Sequence, residues 1–483
     1  MTMNPQVETI TNFGANVSFT PRNVYRPDSE SEVLDILRRH QHDQIRVVGR
    51  LHAWSPLVES TDVIISLENL KSVQIAEREG QCIAIVGAGC QIKRMLAELR
   101  KTGRTSPALG LITEQTLAGA MATATHGSGR QALCHFAKAI RVAHFDSATG
   151  EPVISEVGTG DELRALQCSL GMLGVVLSVE IHPRAEYNIE EWLTMEPSLD
   201  QVLAAETTAP LQQFYYLPWD ERFLVQHRFE TKAQRSWLAP LYRLYWFLVI
   251  DVGLHLVILL FSRWLKSRRG IKWFFRWLAP CTLVRNWHVV DRSSDMLIME
   301  HELFRHLEIE LFVRRPNLQA ALDFTRAIIR HFGGEEPLSP SWSDQLPPEL
   351  SRRIPGLFGT YTHHYPVCIR RVLPDQTMLS MSSGGDEDYY AISFITYCAP
   401  NSRQAFFELA HALSEAMNKM FDARCHWGKY CPIDADRVRS NYPELENFLH
   451  VARTFDAQGQ FSNGWLASII PASVADVPLQ KGV

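Results

Sequence analysis

The chain reads as an α+β fold, not a doubly wound parallel sheet. Residues 20–185 alternate short strands and helices whose neighbouring strands are joined by tight hairpins, and hairpins make antiparallel pairs. Residues 190–425 then carry separate strand-like runs at 307–313 and 389–397 and a strong helix over 403–420.

Each element has a local cause. Ser29 and Glu32 form a capping box that opens an amphipathic helix with Val33, Leu34, Ile36 and Leu37 inward. Apolar runs at 45–48, ending on Gly49, and at 63–67 read as buried strands. Residues 73–77 and 82–86 make a hairpin about Glu79-Gly80, and 92–101 a helix with Ile92, Met95, Leu96 and Leu99 on one face. A second hairpin, 139–145 with 152–155, turns at Thr149-Gly150. Asp161 caps a helix running to Leu170, and 175–181 is a strand.

Composition removes several function classes. The net charge of −5 carries no nucleic-acid footprint, so no nucleic-acid partner is expected. Nine cysteines lie scattered without a C-x-x-C pair, which indicates neither a zinc site nor a secreted disulfide framework. The first residues lack the basic-then-apolar pattern of a signal peptide, and a reducing, intracellular location is the expectation.

One segment departs from the average. The nineteen residues from Leu244 to Ser262 carry Asp251 as their only formal charge, and as a helix would span about 28 Å. Basic and aromatic residues follow: Arg263, Lys266, Arg268, Arg269, Lys272 and Arg276 interleave with Trp264, Trp273, Phe274, Phe275 and Trp277. Asp251 and His255, four apart, share a helical face, which argues against a lone lipid-exposed span. A hairpin docked on a membrane surface through residues 244–280, basic side toward anionic headgroups, fits better. A pair of cap-domain helices with a solvated basic face is the alternative and would leave the protein cytoplasmic.

The stretch from Ala108 to Gly129 is the most telling. Gly119, Gly127 and Gly129 let backbone approach a bulky group, while Thr116, Thr123, Thr125 and Ser128 set hydroxyls beside free N–H groups. That combination suits a pyrophosphate. It matches neither the Rossmann nor the Walker glycine pattern, and on pattern alone a Gly-rich surface loop stays open. Gly49-Arg-Leu-His-Ala-Trp-Ser-Pro56 follows a strand directly. His52 there reads as a base, a ligand, a capped loop residue or a covalent anchor. No second histidine stands nearby at metal spacing, so no metal is expected.

Taken together, the Gly-x-x-His52-x-x-Ser55 turn, the 108–129 stretch and Gly171-Met-Leu-Gly-Val-Val176 resemble, in order and spacing, the PCMH-type FAD-binding domain of the vanillyl-alcohol-oxidase superfamily. The C-terminal His426-Trp-Gly-Lys429, Tyr442-Pro443 and the run 456–463 resemble the sugar-1,4-lactone oxidases within it: arabinono-, gulono- and galactonolactone oxidoreductases and alditol oxidases. The resemblance implies an FAD-binding domain of two subdomains at 15–186. It implies an α+β cap at 187–424 holding the apolar-basic insert, 240–290, and a segment at 425–483 that returns to the flavin.

Residue by residue, the resemblance makes His52 the histidine joined to the flavin, although Arg50 and Leu51 depart from the usual Gly/Ser flank. It assigns cofactor contacts to Gly49, Arg50, Leu51, Ala53, Trp54 and Ser55, then to Ala108, Gln115, Thr116, Gly119, Thr123, Thr125, His126 and Gly127. Val175 and Val176 fall on the adenosine side. Gly110 matches the position facing the flavin C4a–N5 edge, where glycine leaves room for dioxygen. Lys429 matches the active-site lysine beside flavin N1, and His426 orients substrate or base. Where the family carries Glu-x-Arg, this chain has Cys368-Ile-Arg370. Arg370 matches, but a thiol cannot replace the carboxylate as an acceptor. Either Glu310, on the strand side it shares with Glu308, takes over, or the substrate differs.

The implied activity is oxidation of a secondary hydroxyl of an aldono-1,4-lactone or related polyol. Hydride goes to flavin N5 and electrons go on to O2, giving H2O2. The rivals are a dehydrogenase using a quinone or cytochrome, and a flavin-retaining membrane partner without turnover.

Overall fold

Val63–Ser66 is buried at every position, as a strand covered on both sides must be, and it pairs in parallel with Asn23–Tyr25 on one side and Ile45–Val48 on the other. The computed structural model of the chain describes residues 8–299 and 303–471. Helix Glu30–Arg39 begins at Ser29, whose hydroxyl accepts from the Glu32 N–H, while the Glu32 carboxylate takes the Asp28 N–H. Its Val33, Ile36 and Leu37 are wholly buried in one cluster with Ile45, Val63 and Ile65.

The second sheet is five-stranded and antiparallel, in the order 152–157, 137–145, 175–181, 81–87, 73–78. Both expected hairpins are present. The helix after them runs Gly160–Gln167 with Thr159 at the cap position. Asp161 therefore lies inside the first turn instead of capping it, and the helix ends before Leu170. The backbone of Leu170 is left-handed, φ 53°, and its carbonyl is taken by Arg46, so this segment turns away from a helical path.

The third sheet has eight antiparallel strands in the order Val289–Arg292, Asn188–Glu196, Phe223–Thr231, Gln213–Tyr216, Val367–Val372, Tyr389–Thr396, Leu307–Arg314 and Arg424–Cys425. Helices Leu318–Phe332 and Gln404–Phe421 bury their apolar stripes with Ile309, Leu311 and Val313 of this sheet. The period of two then turns Glu308 and Glu310 to the opposite face. The edge strand Arg424–Cys425 runs directly into His426-Trp-Gly-Lys429, so the last strand of the sheet delivers the C-terminal motif. Mixed parallel and antiparallel sheets with helices make this an α+β protein.

The insert joins strands Phe223–Thr231 and Val289–Arg292. Ala239–Trp264 is one 26-residue helix, part of it wound with i→i+5 bonds, and a second helical stretch follows at 268–278. Its basic side is only partly turned outward: Lys266 and Arg269 stay exposed, while the other four basic side chains donate to the cap. Arg263 donates to the Tyr397 carbonyl (2.6 Å), Arg268 to Gly359 and Thr360, Lys272 to Gly333 (2.9 Å), and Arg276 to Trp219 (3.1 Å) and Glu335 (2.7 Å). Carbonyls at the ends of the cap's loops need donors, and these side chains supply them. The apolar side is what remains outside.

Arg46 ties the first unit together. Its Nε donates to Leu57 O (2.9 Å), Nη2 to Leu170 O (2.8 Å), and Nη1 to Gly171 O (3.2 Å) and to Phe461 O. Arg46→Met would leave these buried carbonyls without donors. A loss of about 3 kcal/mol or more is expected in denaturant unfolding followed by tryptophan fluorescence, and a loss under about 1 kcal/mol would disprove the structural role.

Candidate active site

One cavity of about 1030 Å³ runs from the strand-turn loop after Val48 to the insert. It lies at the upper end of ordinary ligand sites, about 300–1,000 Å³, enough for a cofactor and a second molecule. Gly49 and the five residues that follow, Arg50, Leu51, His52, Ala53 and Trp54, line it, as do Gln115, Thr116, Gly119, Thr123, Thr125 and His126 from the threonine-rich stretch. Two close approaches make this cradle. A Cβ on Gly49 would stand 2.1 Å from Thr116 Oγ1, so only glycine lets the two loops meet. Gly171, left-handed at φ 70°, packs where a Cβ would lie 3.2 Å from the Arg46 guanidinium. The His52 ring stacks on Phe13 at 5.4 Å. The buried Trp54 indole N–H has no hydrogen-bond partner among the described residues. A deep cradle of backbone and hydroxyls with a spare donor fits a dinucleotide.

Six of the residues assigned to the cofactor lie off the cavity wall, and Gly129 lies off it with them. Ser55 donates to the Trp427 carbonyl (2.7 Å), which fastens the turn to the C-terminal motif. Ala108 is buried in the core. Gly110 packs on the threonine stretch, where a Cβ would meet Thr125 Cγ2 at 2.8 Å, and Leu111 and Ile112 reach the cavity in its place. Gly127 lies against Leu109, whose carbonyl would be 2.2 Å from a Cβ. Beyond it Gly129 donates to Arg371 O (2.7 Å), so the end of the stretch docks on the large sheet. Val175 is fully buried beneath helix Glu30–Arg39, and Val176 packs in the adjoining core; Leu170 and Gly171 form the wall there.

The chemistry-bearing side chains do converge. Glu310, Arg370, His426 and Lys429 all line the cavity. Trp54 N donates to Gly428 O (2.9 Å), and the Lys429 ammonium sits 4.6 Å from the Trp54 ring centre while bonded to Glu308 at 2.5 Å. Glu310, 1% exposed, accepts from Ser393 Oγ (2.8 Å), with His126 Nε2 at 3.4 Å and His426 Nε2 at 4.0 Å. Burial alone would raise its pKa, but His126, Lys429 and His426 outweigh that and hold it well below the carboxylate range. Burial pushes His426 down to about 3. Its Nδ1 accepts the Gly428 N–H (3.0 Å), so the ring proton is on Nε2, facing Glu310. His126 is the mirror case: its Nδ1 donates to Gly127 O (2.9 Å), and its Nε2 faces Glu310 at 3.4 Å. The three groups approach closely enough to hold a metal ion. The Nε2–H of neutral His426 makes that a poor ligand set.

Cys368 is buried and its thiol is pushed up to about 11 by burial, so it stays neutral. In register it stands opposite Ser393, which stands opposite Glu310. The carboxylate is thus two strands away, roughly 9–10 Å along the row. Arg370 is half-buried beside it; burial opposes its charge, and the Glu310 carboxylate offsets that, so the guanidinium stays charged. Its Nε donates to Gln213 (3.1 Å), which in turn donates to Gln226 (2.5 Å). Gln213, Gln226 and the buried Arg228–Glu191 pair (2.5 Å) were not legible beforehand, because no motif marks them and only the pairing of their strands brings them together.

The fold and this site define an FAD-dependent oxidoreductase. The sequence profile described as FAD binding domain matches residues 21–153, and that of D-arabinono-1,4-lactone oxidase matches residues 189–469. The chain belongs to the D-arabinono-1,4-lactone oxidase family, and it is an FAD-dependent oxidase. It is 47% identical over 97% of its length to a long-chain alcohol oxidase of an uncultured marine euryarchaeote, covering 98% of that protein. It is 21% identical to the L-gulonolactone oxidase of Mus musculus, over 95% and 97% of the two chains. A solvent-stable cholesterol oxidase shares the fold at a TM-score of 0.72 and 14% identity, over 96% and 97% of the two chains.

Protonation of buried histidines sets the acid stability. His363, His364 and His426 are pushed by burial to about 3, 4 and 3. Unfolded histidine titrates near about pH 6.5, so between there and about pH 4 the unfolded chain binds more protons than the folded one. Stability therefore falls as pH drops through that window, by up to about 1.4 kcal/mol per unit for each ring. A thermal midpoint that does not move between pH 7 and about pH 5 would contradict the neutral assignments.

Proposed function

We propose that the protein oxidises an alcohol whose hydroxyl end reaches Glu310, Arg370, His426 and Lys429 and whose remainder is a long apolar chain lying along the insert. The observation that supports this substrate class is the change in character of one continuous wall. Charged groups from the large sheet line one part; Trp246, Leu254, Val257, Phe274 and Phe275 line the part beneath the insert. The name of the euryarchaeal relative points the same way.

Bound FAD supplies the hydride acceptor and passes the electrons to dioxygen, so that alcohol and O2 become a carbonyl compound and H2O2. In this reading Glu310 takes the hydroxyl proton, while Arg370 and the His426 Nε2–H hold the hydroxyl oxygen. Lys429 supplies the positive charge that an anionic reduced ring requires. The Gly49–Trp54 and Gln115–His126 loops hold the cofactor, with His52 as its covalent anchor. Docking through residues 244–280 makes the enzyme membrane-associated.

An aldono-1,4-lactone or polyol is the second reading, favoured by Gln213, Gln226 and Arg228, which add hydroxyl-binding groups beside Arg370.

Anaerobic bleaching of the flavin with primary alcohols of increasing length, alditols and aldonolactones separates the two. Bleaching efficiency is expected to rise roughly fourfold per added methylene until the wall is filled. Bleaching by lactones or alditols alone would replace the substrate class, and no bleaching at all would leave only the non-catalytic flavin protein. Slow reoxidation in air after bleaching would mean a dehydrogenase with a quinone or cytochrome acceptor. For the anchor, acid precipitation of the wild type is expected to give a yellow pellet, and His52→Ala a yellow supernatant. A colourless wild-type pellet removes the covalent link.

A further inference from the structure

The insert is an apolar surface with no cover. The most hydrophobic 18-residue window of helix Ala239–Trp264 has a mean hydropathy of 2.3, yet only 11% of it is buried. Leu241, Leu244 and Leu248 repeat at helical spacing and are each about half exposed. Trp237, Trp264 and Trp277 are 87%, 77% and 67% exposed. So large a contiguous apolar belt marks an interaction face.

Two further facts say what the partner is and what it delivers. First, no acidic residue occurs between Val252 and Val290, and Lys266 and Arg269 are exposed beside Trp264 and Leu265. Aromatic and leucine side chains bordered by cations match the interface of an anionic bilayer. Second, Phe247, Leu248 and Leu278 belong at once to this belt and to the cavity wall, so the cavity reaches the surface within the belt. The helix's own polar groups, Asp251 and His255, point the other way, into the cavity, where His255 Nε2 accepts from the Tyr397 hydroxyl at 2.7 Å.

We infer that the insert seats the enzyme on an anionic lipid bilayer with the cavity mouth inside the contact. The substrate is then a membrane-partitioned alcohol that passes from the acyl region along Phe247, Leu248 and Leu278 to the flavin without crossing water. The inference rests on the proposed alcohol oxidation for its cargo but not for the seat. It also gives the inward-facing Asp251 and His255 a place: polar groups on an otherwise apolar path, where a hydroxyl leaving the headgroup region finds partners before it reaches the catalytic groups.

The test uses the holoenzyme with phosphatidylcholine vesicles, with or without phosphatidylglycerol, and two probes, 1-hexanol in buffer and 1-hexadecanol carried in the vesicles. The comparison is the variant L241D/L244D/W277S, whose three positions lie off the cavity wall and are exposed. Wild type is expected to sediment with the phosphatidylglycerol vesicles, on the order of tenfold more tightly than with phosphatidylcholine alone. It oxidises both alcohols. The variant stays in the supernatant, keeps its hexanol rate within about twofold, and loses about tenfold or more on vesicle-borne hexadecanol. Wild type that oxidises hexanol but sediments with neither vesicle overturns the seat and leaves the alcohol reading intact. Wild type that sediments but bleaches with neither alcohol overturns the alcohol reading and leaves the seat intact. A variant that oxidises hexadecanol like the wild type overturns the membrane route. If the belt is covered by a second copy, the wild type elutes as a dimer that the variant breaks and sediments with neither vesicle, which also overturns the seat.

Discussion

The buried guanidinium of Arg46 is the constraint on which the flavin cradle depends. Among the described residues no carboxylate faces it; its donors end on the carbonyls of Leu57, Leu170, Gly171 and Phe461, and burial draws its pKa down to about 10. A desolvated charge is tolerated only when every donor is used. The carbonyls that use them come from the loop after the first strand, the turn before strand Val175–Ile181 and the C-terminal segment. The left-handed Leu170 and Gly171 follow from this: their carbonyls must point inward at one group, and the backbone takes the φ that allows it. The loop from Gly49 to Trp54 starts three residues after Arg46, so the anchoring of one side chain fixes the origin of the cofactor site.

A second constraint is the register of the eight-stranded sheet. Cys368, Ser393 and Glu310 form one cross-strand row, so the nearest acid on that row stands two strands from position 368. Moving the acid two strands along the row brings it between His126 and His426 and leaves Arg370 near a neutral thiol. A carboxylate at both positions would put two acids on the same face beside Glu308.

What the sequence disclosed follows the range of the interactions involved. The Ser29 cap, the two hairpins and the helices at 30–39 and 92–100 depend on neighbours within a few residues, and each was legible. The loops at 49–54 and 115–126, marked in the sequence by locally clustered small residues and hydroxyls that suit a large anion, both line the cavity. Gly127 and Gly129, read as parts of that cradle, each lie where another segment's backbone approaches, and glycine gives the same signal for both purposes. Arg46 was invisible, since its partners are 11 to 415 positions away, and so were the links of Gln213 to Gln226 and Arg370, 13 and 157 positions away. Val175 and Val176, assigned to the adenosine side by resemblance alone, pack in the core beside the cavity, on a strand whose positions alternate between fully and half buried.

The insert joins these two scales. Read alone, its basic residues look like a face for headgroups, yet Arg263, Lys272 and Arg276 spend their donors on the cap's own carbonyls. The hairpin is therefore held from its polar side, and an apolar outer face is the necessary result of that attachment. An enzyme with a fully water-soluble substrate has no use for such a face, and its cost in solubility would be uncompensated. A cavity that opens through it turns the same face into an entrance. The polar groups that hold the insert down and the apolar groups that lead inward are then two sides of one helix, which is why neither can be exchanged without the other.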